Sequence, residues 1–185
     1  MSFKFGTKIG LGFGLVLVLL VIISAIAVSS LLQIHNDEAC FYELLQENMA
    51  ISRINYLTAM ESSSMRGRLY YQDPKYLDDY RYYRDENRNL IDGLLAGART
   101  EEDRRYMQRI KTLAEAYANI LDNKIEPLAA QGKYKEAGDT AVSEGLPALN
   151  QLNQLTREYE QKRISDFYKM TEAAVATSKS AVSLV

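Results

Sequence analysis

Apolar residues follow two patterns along this chain. From Ile9 to Leu32 they run uninterrupted by charge, IGLGFGLVLVLLVIISAIAVSSLL, for 24 residues. Beyond Leu32 they recur at helical spacing with charged residues between them. A helix rises ~1.5 Å per residue and the bilayer hydrocarbon is ~30 Å thick, so the first run predicts a tilted transmembrane helix. Lys4 and Lys8 precede it, Asp37 and Glu38 follow it, and the next Lys or Arg is Arg53. Positive residues favour the cytoplasmic side, so residues 1–8 are expected inside and the chain beyond the run outside. A cleaved signal peptide is the competing reading, with Ala25-Ile26-Ala27 as its cleavage site. The run exceeds the ~7–15 residues of a typical signal-peptide core, which favours an uncleaved anchor. Gly6, Gly10 and Gly14 step by four, which reads either as a face on which two helices pack closely or as the glycine content common to such helices.

The first helix is expected to continue unbroken to about Tyr71. No Pro lies between residues 9 and 73, and Gly67 is the only Gly from 15 to 92. Leu44, Ile51, Thr58 and Met65 recur every seven residues, with Leu45, Ile54, Leu57 and Leu69 beside them. Asp73-Pro74 then supplies a cap and a first helical residue. A second helix is predicted over 74–97, with Tyr76, Tyr80, Tyr83, Asn87, Leu90 and Leu94 as its seam. Thr100 opens T-E-E-D, an N-cap followed by acids that favour the positive helix end. The third helix is predicted over 101–131, on Tyr106, Ile110, Leu113, Tyr117 and Ile120, with Pro127 kinking it or ending its regular part and Gly132 terminating it. A short helix over 133–143 is expected to stop at Glu144-Gly145-Leu146-Pro147. The last helix would then start at Pro147, with a seam of Leu149, Leu152, Leu155 and Tyr159, shifting to Ile164, Phe167, Met170 and Ala174.

Four amphipathic helices with short connections predict an all-α fold, an antiparallel up-down four-helix bundle continuing from the transmembrane helix. The bundle is assigned to residues 33–180, outside the cytoplasm. Residues 181–185 are read as the start of a truncated second transmembrane helix.

Composition narrows the function. Without Lys4 and Lys8 the bundle has 20 positive and 24 negative side chains, a net charge of −4, which argues against nucleic acid as a partner. Cys40 is the only cysteine and His35 the only histidine, so no intrachain disulfide, clustered zinc site or C-x-x-C-H haem attachment is expected. No nucleophile–base set is present. Asp78-Asp79 and Asp85-Glu86 are adjacent and point apart on a helix. Neither an enzyme nor a bound cofactor is expected.

FGTKIGLGFGLVLVLL, the break at RLYYQDPKYLDDY and the segment GKYKEAGDTAVSEGLPALNQLNQL together resemble the N-terminal part of bacterial methyl-accepting chemotaxis receptors, across the whole chain. The resemblance implies an inner-membrane homodimer whose first helix packs on its mate. It implies a ligand, an amino acid or organic acid, near the membrane-distal end, or a periplasmic binding protein that delivers it. A small shift of the last helix would carry the signal to a cytoplasmic domain absent from these 185 residues. The same module occurs on histidine kinases and cyclic-dinucleotide enzymes. A tethered helical adaptor for a protein partner is a further alternative.

Topology places the end of the first helix beside the start of the last. Arg66, Arg68 and Arg157 are therefore the candidate carboxylate ligands, Arg by its bidentate fork. Tyr70, Tyr71, Asn150, Asn153 and Thr156 are candidate hydrogen-bonding groups. The same arginines can instead pair with Asp73, Asp78 or Glu158. Tyr76, Tyr80 and Tyr83 are assigned to the core and Tyr82 to the surface, with a tyrosine box around a ligand as the alternative. Cys40 lies on the helix that the resemblance places at the dimer interface. Beside Gly6, Gly10 and Gly14 it is a candidate dimer contact, or else it faces lipid headgroups or its own fourth helix.

Overall fold

The computed structural model describes the backbone of residues 5–183; the side chains of residues 5–12, 15, 30–41, 43, 174 and 177–183 lie outside the description. All described elements are helical: α1 (Phe5–Tyr71), α2 (Lys75–Ala96), α3 (Glu101–Ile120), α4 (Glu126–Ala130), α5 (Tyr134–Thr140) and α6 (Leu146–Ser183). A π-helical turn, Leu121–Ile125, joins α3 to α4, and another, Ala141–Gly145, joins α5 to α6. The chain divides into two units, Met1–Glu43 and Leu44–Val185.

In the first unit, residues 5–43 are one stretch of α1, helical as expected. Its described apolar side chains are exposed, from Phe13 at 69% to Ile22 at 48%. Among the described residues no helix is long and apolar enough to cross a membrane. Of the charge-free run only the side chains of residues 13–14 and 16–29 are described, short of the ~20 residues that a crossing needs. The expected crossing over 9–32 is thus not found in the described part. Gly6, Gly10 and Cys40 lie outside the described side chains, as do the segments 1–8 and 181–185. Gly14 has no atom within 4 Å of where a Cβ would stand.

The second unit is the four-helix bundle. Side-chain pairings run antiparallel at every edge: Ser52 with Glu160 and Glu47 with Arg163 (α1–α6), Glu61 with Asn87 (α1–α2), Lys111 with Asp92 (α2–α3), and Tyr159 with Asp103 (α3–α6). Two apolar clusters fill it. One holds Ile51, Ile54, Ile91, Met107, Ile110, Leu152, Leu155 and Tyr159. The other holds Met65, Tyr80, Tyr117, Leu121, Ile125, Ala129 and Ala137.

The helix ends follow the sequence signals. Asp73 Oδ1 accepts from the Lys75 N–H at 2.9 Å, with Pro74 opening α2. Gln72 takes the left-handed conformation that ends α1, φ 59°. Thr100 accepts from the Asp103 N–H at 3.0 Å. Gly132, φ 75°, closes α4, with the Lys133 N–H donating to Leu128 O and the Gly132 N–H to Ala129 O.

Two expectations fail here. The chain does not break at Glu144–Pro147; α5 runs through the π turn into α6. A proline in an α-helix clashes with the carbonyl four residues back. For Pro127 that carbonyl belongs to Asn123, and for Pro147 to Ser143, each inside a π turn. The wider turn relieves the clash. In both cases the N–H just after the turn donates five residues back, Glu126 to Leu121 and Leu146 to Ala141. The α6 seam also continues by a step of four. Arg163 is buried at 8% and Ile164 is 43% exposed. Arg163 holds the seam position because Glu47 and Asp103 pair with it there.

Candidate functional site

Two polar features interrupt the apolar packing. The first is a buried layer between the two clusters. Asn87 Nδ2 donates to Glu61 Oε1 at 2.7 Å and to Thr58 Oγ1 at 3.0 Å, all three residues being 3% exposed or less. Burial pushes the Glu61 carboxyl up from its ordinary value to about 7, against the lowering pull of Asn87 and Arg84. Arg84 is engaged elsewhere, its NH1 donating to both carboxylate oxygens of Asp122 at 2.9 and 3.0 Å. Tyr80 donates its hydroxyl to the same Asp122 at 2.9 Å, and burial and that carboxylate raise its pKa.

The second feature is an open groove of about 440 Å³, walled by α1, the end of α3, both π turns and the start of α6. Ser62, Met65, Arg66 and Leu69 line it from α1. Tyr117, Leu121 and Ile125 line it from the α3 side. Ala141, Val142 and Gly145 come from the second π turn, and Leu146, Leu149 and Asn153 from α6. The π turns face each other across its floor: a Cβ on Gly145 would stand 3.5 Å from Ile125 Cδ1. Burial raises the Tyr117 hydroxyl to about 12, against a lowering pull from Ser62. Arg66 is exposed, and its Nε donates to Ser62 O at 3.4 Å.

Of the residues singled out from sequence, the structure brings Arg66 and Asn153 together on this groove. It takes Arg68 away. Arg68 is 6% exposed, with Nε 3.4 Å from Glu126 Oε2, and its NH1 donates to the Tyr134 hydroxyl at 3.4 Å. It ties α1 to α4 and α5 and is not available to a ligand. Thr156 is also core, 1% exposed, donating to Leu152 O at 2.6 Å. Asn150 and Arg157 are exposed on α6 and are not among the groove residues. Tyr70 and Tyr71 cap the α1–α2 corner instead. Their rings meet edge-on at 4.9 Å, and Tyr71 stacks on Tyr76 at 5.6 Å. Tyr80 is buried and donates to Asp122.

Sequence reasoning missed Glu61, Ser62, Tyr117 as a groove residue, and both π turns. A signal for Glu61 was present. It lies seven residues after Ile54 and seven before Arg68, a second buried row beside Ile51, Thr58 and Met65. The paired prolines, 20 residues apart, marked the π turns.

No curated protein matches the chain, and no solved structure does. A family model described as the four helix bundle sensory module for signal transduction matches residues 2–173. That match spans the bundle, both π turns and the groove, so the chain belongs to the four-helix-bundle sensory modules of methyl-accepting chemotaxis proteins.

Proposed function

We propose that this chain is the ligand-sensing region of a transmembrane chemotaxis receptor, and that the groove beside the two π turns binds a small organic anion. The observation that carries the reading is the convergence of Arg66 and Asn153 with an apolar wall on one open groove. An exposed guanidinium supplies a bidentate partner for a carboxylate. π-Helical turns recur at functional sites, and here two of them form the wall nearest α6. A ligand bridging α1 and α6 would bias the position of α6, the helix that leads towards a cytoplasmic signalling domain outside these 185 residues.

Residues 9–32 serve in this reading as the inner-membrane anchor, with the bundle outside the cytoplasm. Supporting it are the 24 residues without charge and the exposure of the described apolar side chains between Phe13 and Val28. A helix apolar on all sides is matched by lipid, which removes a cost of roughly 1.5–3 kcal/mol per large side chain left in water. A homodimer through α1, with Gly6, Gly10, Gly14 and Cys40 near the contact, belongs to the same proposal, and so does delivery of the ligand by a periplasmic binding protein.

Two measurements test this reading. Thermal-shift screening of small acids and amino acids should find a ligand whose stabilisation disappears in Arg66→Ala. A screen with no hit, or a hit indifferent to Arg66, removes the groove as the site. A phosphatase fused after residue 43 should be active only outside the cytoplasm, and activity of a cytoplasmic reporter there would reject the topology.

A further inference from the structure

We infer that the groove takes a monocarboxylate with an apolar body and no ammonium group. This rests on the ligand-binding reading above and narrows the occupant. The charged complement of the groove is one guanidinium, Arg66. Its Nε is used on Ser62 O, one turn back on its own helix. The terminal N–H fork remains to receive one carboxylate in two parallel bonds. Asn153 adds one amide from the α6 wall, and Ser62 and the buried Tyr117 line the groove beside Arg66.

The rest of the lining is apolar, with Met65, Leu69, Leu121, Ile125, Val142 and Leu149 its largest members. No Asp or Glu stands among the described lining residues. An α-ammonium group would therefore lose water without gaining a carboxylate partner, which disfavours amino acids. A second carboxylate is disfavoured for the same reason. Arg68, the next guanidinium along α1, is bound to Glu126 and Tyr134 on another face of the helix. An apolar body gains instead, because the wall that receives it is hydrocarbon.

The test is calorimetric titration of the full 185-residue chain in lipid nanodiscs with benzoate, hexanoate, succinate, L-aspartate and L-leucine. Benzoate or hexanoate should bind at least tenfold more tightly than the other three. Arg66→Ala should weaken that binding at least tenfold. Arg66→Lys, which keeps the charge without the fork, should recover only part of it, and both variants should keep their helical circular dichroism. If succinate, aspartate or leucine binds as well or better, and Arg66→Ala abolishes it, the groove remains the ligand site and the monocarboxylate inference is overturned. If none of the five acids binds, or binding ignores Arg66→Ala, the groove itself is overturned as the site.

Discussion

Asn87 donates to Glu61 Oε1 at 2.7 Å, and this pair sits between the two apolar clusters, with no guanidinium or ammonium among the described residues bonded to the carboxylate. Burial therefore dominates, and the Glu61 carboxyl lies near 7 in place of its ordinary 4.5. The folded state binds this proton more tightly than the unfolded chain does. Its stabilisation is complete below the unfolded value and is lost as pH rises through the folded value. Between pH 4.5 and 7 the loss amounts to on the order of 3 kcal/mol. Urea unfolding across this window should show wild-type stability falling relative to Glu61→Gln, which keeps an amide oxygen for Asn87 and carries no proton. Parallel profiles for the two proteins would assign the carboxyl an ordinary pKa.

Gly67 packs under the Tyr76 ring so closely that a Cβ would stand 2.6 Å from Cδ1. An alanine gains helix propensity, about 1 kcal/mol. It must also displace a ring stacked on Tyr71, and overpacking costs typically ~1–3 kcal/mol. Gly67→Ala should lower the melting temperature. Adding Tyr76→Ala should bring the double variant above Tyr76→Ala alone, because the gain in propensity remains and the clash does not.

Arg68 and Glu126 form a buried pair, 7% and 17% exposed at their side chains. Removing one partner strands the other, at a cost of roughly 3–5 kcal/mol for a fully buried pair. Arg68→Ala should therefore destabilise the bundle by several kcal/mol, and adding Glu126→Gln should return part of that. Arg66→Ala, on the exposed face, should stay within about 0.5 kcal/mol of wild type. Denaturant midpoints for the four proteins check the contrast.

That contrast also marks what could be read in the sequence. Helix order and caps were legible because Asp73-Pro74, Thr100 and Gly132 act locally. The apolar seams were legible because period reports burial, as at Ile51, Thr58 and Met65. Arg66 and Arg68 were grouped by type, yet two residues is about 200° of helix rotation, so they cannot share a face. Counting by sevens from Ile54 reaches Glu61 and Arg68, and from Thr156 it reaches Arg163, all buried. Buried charges occupy apolar-row positions where a distant helix supplies the partner, and no local pattern names that partner. The π turns were hidden for a related reason. Proline signals that the α ladder cannot close, but not whether the chain breaks or widens into a π turn.

Gly145 is the residue on which this last choice can be tested. It is buried, and an added Cβ would meet Ile125 Cδ1 at 3.5 Å, ordinary contact rather than collision. The chain there has no positive φ, so a side chain brings no backbone strain. Alanine should then gain up to about 1 kcal/mol of helix propensity while filling space against Ile125. Gly145→Ala should match or exceed the wild-type melting temperature, opposite in sign to Gly67→Ala on the same scaffold. Its methyl also enters the groove wall, so any ligand of that groove should bind Gly145→Ala differently. A fall in melting temperature as large as that of Gly67→Ala would mean that the two π turns stand closer than 3.5 Å contact allows.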